Sequence, residues 1–202
     1  MKARLLILLL LISILPAFSQ DRLMPVNHND ESEIHAKYCQ KVNRLLIGAK
    51  EYTYSFLILP AFSPEEGLLY SPAKKELILR VARKNIWYSR GGIGVKEYRC
   101  PITSELSDKL DSLFASAVYS SLEAYCNGLD GVTYEIRTNW GKDIAECWSP
   151  ESDGSNCDRL VRILESLCVF VRKKDVDKIE GLTPEIESLT KNFNSLKGKP
   201  AN

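Results

Sequence analysis

The feature that most constrains the fold is a change of hydrophobic period near residue 100. Before it, apolar side chains recur every second position. Tyr52, Tyr54, Phe56 and Ile58 alternate with Thr53, Ser55, Leu57 and Leu59 until Pro60, and Leu77, Leu79 and Val81 share one side of residues 76–83. A period of two puts alternate side chains on opposite faces of a strand. Residues 86–88 read as a continuation of the second strand, and residues 95–100 as another one after the turn Gly91-Gly92-Ile93-Gly94. Ser63-Pro64-Glu65-Glu66-Gly67 turns the chain into a short strand at 68–70.

Beyond residue 100 the spacing becomes helical. Leu106, Leu110, Leu113, Phe114, Ala117, Val118 and Leu122 form one stripe, with Thr103 or Ser104 as cap and Gly128 as stop. Residues 132–137 and 143–148 alternate again and predict a hairpin. Ser155 with Asp158 three residues later reads as a capping box ahead of Leu160, Val161, Ile163, Leu164, Leu167 and Val171. Thr183-Pro184-Glu185 opens a further helix, and an earlier one is expected where Ile34, Tyr38, Val42 and Leu45 lead to Gly48. This order predicts an α+β fold: an antiparallel sheet, meander plus hairpin, with two to four helices packed on one face.

The first residues carry a different message. Lys2 and Arg4 precede an apolar run from Leu5 to Leu15, then Pro16 and the small-residue site Ala17-Phe18-Ser19. That layout predicts a signal peptide over residues 1–19, cleaved near Ser19-Gln20. The run falls short of the roughly 20 residues that cross a bilayer, so no membrane span is expected. The destination is periplasmic or secreted. Residues 20–33 read as a loose polar leader and 34–202 as one α+β domain. With 27 basic and 26 acidic residues, the chain has no electrostatic footprint for nucleic acid.

Six cysteines in an oxidising compartment favour disulfides over metal binding. Cys100 and Cys126 bracket one expected helix, and Cys157 and Cys168 sit along another. Helix lengths keep both pairs beyond the roughly 7 Å between Cα atoms that a bridge spans. Cys147 ends a strand and Cys157 opens a helix, with a returning loop between them. Cys147–Cys157 is therefore the expected bridge.

No catalytic constellation emerges. The histidines beyond the signal, His28 and His35, lie in or beside the polar leader, where a base would lack fixed positioning. His28, Asp30, Glu31, Glu33 and His35 lack a rigid ligand frame, so no metal is expected. The glycines at 91–94 join two strands and form no phosphate loop, so no cofactor is expected. Glu65, Glu66, Glu146 and Glu151 flank two Ser-Pro turns and carry the alternative, a carboxylate-based hydrolase of envelope glycans, which would need two acids at a fixed separation.

Aromatic residues point instead to binding. Trp87, Tyr98, Tyr134, Trp140 and Trp148, with Tyr88 beside the first, fall on expected strands and the hairpin. A sheet face left without helices would turn some of them into a platform for another protein or a surface glycan.

Gly128-Leu129-Asp130-Gly131-Val132-Thr133-Tyr134, Cys147-Trp148-Ser149-Pro150 and the helix containing Leu160-Val161 resemble small secreted bacterial α+β proteins without an assigned function. The resemblance covers most of residues 50–175. It implies an envelope or secreted location and brings no catalytic residues. The expected function is a non-catalytic binding protein, in the manner of an inhibitor or immunity-type partner of another protein.

Overall fold

The computed structural model describes residues 21–26, 32–48, 52–71, 74–123, 131–138, 141–150 and 152–198. The expected signal peptide, His28, Trp140, Cys126 and Glu151 lie outside them.

The chain is an α+β protein with a seven-stranded antiparallel sheet. Strands β1 (Met24–Pro25), β2 (Tyr54–Pro60), β3 (Glu66–Ser71), β4 (Glu76–Ala82), β5 (Val95–Pro101), β6 (Val132–Thr138) and β7 (Asp143–Trp148) stand in the order β1-β7-β6-β2-β3-β4-β5. The meander β2–β5 and the hairpin β6–β7 are those the alternation predicts. The hairpin joins the meander through β2, with Ser55 opposite Arg137 and Ile58 opposite Tyr134.

One face carries Phe56, Leu68, Tyr70, Leu77, Leu79, Cys100, Tyr134, Ile136, Ala145 and Cys147. Helices α2 (Ser104–Tyr119), α3 (Asn156–Lys173), α4 (Val176–Glu180) and α5 (Thr183–Leu196) bury it. Thr103 caps α2 by accepting from the Leu106 amide, and Ser155 caps α3 by accepting from Asp158. The reciprocal half of the expected capping box is rearranged: Asp158 accepts from the Gly154 amide, and Asp153 takes the Ser155 amide. The α2 stripe ends at Ser120, short of Leu122.

The opposite face is also partly covered. Helix α1 (Glu33–Val42) continues into a π-helical turn, Asn43–Ile47, and buries Val42 and Leu46 against Leu57, Ala82 and Ile86. A Cβ on Gly67 would lie 3.1 Å from both the Leu46 Cβ and a Leu57 methyl, so this glycine lets the π turn sit directly on the sheet. Arg80 fastens the end of that turn, donating to the Ile47 carbonyl at 2.7 Å while paired with Glu97.

The leader is not loose throughout. Leu23 is fully buried in the main core, Met24–Pro25 pairs with β7, and Ser32 caps α1. The short run Leu23-Met24-Pro25-Val26 in a polar stretch carries no periodicity, which is why the alternation could not reveal it. Residues 86–88 form a turn rather than the expected strand extension, for a reason given below.

Cys147 and Cys157 were expected to be bridged. Both are free thiols here, almost wholly buried and close enough for Cys147 to act on the Cys157 thiol. The loop does bring the pair together, and that contact, followed by burial, pushes the Cys157 thiol up.

Candidate binding surface

The aromatics chosen from the strand pattern are scattered. Tyr134 faces the main core, 9 % exposed, and its hydroxyl donates to Glu165 at 2.8 Å. Tyr98 lies half-buried on the outer strand β5, on the helix-covered face, with the Lys96 ammonium 4.7 Å from its ring centre. The Trp148 ring presses on Gly131, where a Cβ would meet its Cζ2 at 2.7 Å. Among the described residues of that set, only Trp87 stands on an exposed aromatic surface.

That surface grows from two loops at one end of the sheet, residues 61–65 between β2 and β3 and residues 83–94 between β4 and β5. Phe62 and Tyr88 are 71 % and 61 % exposed, and their rings stack in parallel, centres 6.4 Å apart. Trp87, 45 % exposed, meets Tyr38 of α1 edge-on at 4.9 Å, with His35 beyond at 6.3 Å. Ile34 on the first turn of α1 is 70 % exposed. Clustered exposed aromatics are uncommon on a protein surface, because they forfeit a large burial energy unless something covers them.

The loop is held from beneath. Glu65 is fully buried, and both its carboxyl oxygens accept from the Ile86 amide, at 2.7 and 3.0 Å. One of them also accepts from the Tyr38 hydroxyl at 3.2 Å. Burial, then the neighbouring Glu65, pushes the Tyr38 phenol up, which keeps it a donor. Lys41 donates to the carbonyls of Ile86 and Ser89. Asn85 ties the two loops by donating to Ser63 and accepting from the Tyr88 amide. Ile86 then plugs the smaller apolar cluster. This capture of the Ile86 amide turns residues 86–88 away from the strand path expected of them.

Of the four acids carrying the hydrolase alternative, Glu65 is thus a brace and Glu66 pairs with Arg172 under the helices. Glu146 stands opposite Glu135 across β6 and β7. Glu135 is buried and paired with Arg137, which also donates to Asn43. A second concavity, about 250 Å³, is lined by Tyr134, Ser149, Pro150, Asp158, Arg162 and Glu165. Its polar groups serve one another: Asp158 accepts from Arg162, and Glu165 accepts from Tyr134.

The sequence reading missed Phe62, and it set Tyr88 only beside Trp87. Both lie in loops, where period-two reasoning says nothing. The available signal was simply large aromatics next to Ser-Pro and Ser-Arg turn residues. No family model, curated protein or solved structure matches this chain. No helix among the described residues is long and apolar enough to cross a membrane.

Proposed function

We propose that this is a secreted or envelope binding protein without catalytic activity, which engages another protein through the Phe62–Tyr88 and Trp87–Tyr38 aromatic pairs. The observation that supports it most is the exposure of Phe62, Trp87 and Tyr88 on two loops tied down by Glu65, Lys41 and Asn85. Aromatic anchors dominate interface energies. A loop already fixed before binding spares the entropy of ordering it. An inhibitor or immunity-type partner needs those two properties. The signal-like residues 1–19 support the extracytoplasmic address.

The test is site-specific photocrosslinking. A photoreactive residue at position 88 of the full-length precursor, produced in its native host, should give a discrete adduct with one protein. The adduct should vanish when Phe62→Ala and Trp87→Ala are added. An adduct insensitive to those changes, or a soluble glycan that competes it away, would redirect the reading.

In the same compartment Cys147 and Cys157 would join. Each thiol loses one proton and one electron to the disulfide of a thiol oxidoreductase, whose two sulfurs leave as thiols. Their mutual contact supports this. The bridge would close the loop from Trp148 to Asn156, which borders the second concavity at Ser149 and Pro150.

A further inference from the structure

We infer that the segment docking on the aromatic surface is acidic: a stretch of partner protein carrying carboxylates beside an apolar or aromatic anchor. The inference rests on the protein-binding reading above and adds the chemistry of the partner. Residues 83–96 contain Arg83, Lys84, Arg90 and Lys96 and no acidic residue. Arg83, Lys84 and Arg90 are exposed and flank Trp87 and Tyr88 in the chain.

The nearby acids among the described residues are committed elsewhere. Glu65 is enclosed under the loop, Glu33 holds Lys37, and Glu97 serves both Arg80 and Arg99. On the rest of the sheet and helices, several basic residues are matched. Arg99 has Glu76, Lys109 has Glu105 and Glu187, Arg172 has Glu66, and Lys178 has Asp175. Arg83, Lys84 and Arg90 make no ion pair among the described residues. The surface therefore joins an apolar centre to an uncompensated positive rim, on a chain whose total charge is close to zero. Opposite charge at a rim steers encounter and fixes register, while the aromatic centre supplies the affinity. Guanidinium groups on Arg83 and Arg90 suit carboxylates by forming paired hydrogen bonds.

The experiment selects from a random linear peptide library on the immobilised protein at low salt. Binders are then measured against Tyr88→Ala, Phe62→Ala and the charge reversals Lys84→Glu and Arg90→Glu. The expected binders are enriched in Asp and Glu around an aromatic or aliphatic residue. They should weaken about tenfold on each reversal and fall off as salt rises, because rim electrostatics are screened. Binders that need Tyr88 but are neutral or basic and ignore salt would overturn the acidic partner and leave the binding surface standing. Recovery of no Tyr88-dependent peptide would overturn both. Circular dichroism of each variant separates lost binding from lost fold.

Discussion

The Glu65 carboxyl group receives the backbone N–H of Ile86 on both of its oxygens, 21 residues along the chain. Among the described residues it is the only polar group holding that amide, and with Lys41 and Asn85 it fixes the exposed aromatic loop. Glu65→Ala leaves the amide and the Tyr38 hydroxyl unsatisfied, at a cost of about 1–3 kcal/mol. Hydrogen exchange should show the Ile86 amide opening much faster than the β4 amides. The Phe62–Tyr88 surface should lose its partner even where the core stays folded.

Gly67 tests the seating of α1. With the Leu46 Cβ and Leu57 methyl only 3.1 Å from a new Cβ, Gly67→Ala must shift one of them slightly and strain the seat of the π turn on the sheet. Overpacking of this kind costs about 1–3 kcal/mol. Urea unfolding should show a lower midpoint with an unchanged slope.

Asp111 on α2 gives a pH dependence with a definite sign. Burial, then the nearby Asp108, pushes its carboxyl up to about 6. One of its oxygens and the Tyr70 hydroxyl are both buried without a hydrogen-bond partner among the described residues. The folded state thus holds the proton more tightly than the unfolded chain. This group's contribution is most favourable below the ordinary carboxylate value and is lost as pH rises to about 6. After discounting for partial exposure, Asp111→Asn should gain on the order of 1–2 kcal/mol near neutral pH. The gain should disappear at roughly pH 4, as thermal melts across that range would show.

The thiol pair makes a prediction about timing as well as connectivity. Non-reducing peptide mapping of the protein from its native host should find Cys147 joined to Cys157. A reduced, folded sample should oxidise slowly, because both thiols are buried and Cys157 is held in its protonated form. Partial unfolding with denaturant should speed the reaction. Cys147 recovered as a free thiol, or joined elsewhere, would rule the bridge out.

What the sequence made legible was local. Alternation placed β2, β4, β5, β6 and β7, and cap chemistry placed the starts of α2 at Thr103 and α3 at Ser155. What it could not convey was long-range. The pairing of β6 with β2 joins Ser55 to Arg137, and no neighbouring residue announces it. The short α4 had one cue, the Asp175 cap, too little to stand out. The candidate surface was half legible for the same reason. Trp87 came to notice as a strand residue, whereas its exposure depends on Glu65 drawing Ile86 inward from a separate loop. Tyr134 misled because a buried strand tyrosine and an exposed one look alike until the covering helices are in place.

The strand order has a consequence for how the molecule comes into being. The β2–β5 meander is made of adjacent segments and can zip locally, but β2 receives its other neighbour, β6, only after α2 has been synthesised. Until then Phe56, Leu57, Ile58 and Leu59 sit on a strand with one row of amides and carbonyls unclaimed. Such an edge recruits whatever strand reaches it first, including the same strand of another nascent chain. The interval before β6 arrives is therefore the period when this protein is most exposed to self-association, and closing the sheet at its middle is what ends it.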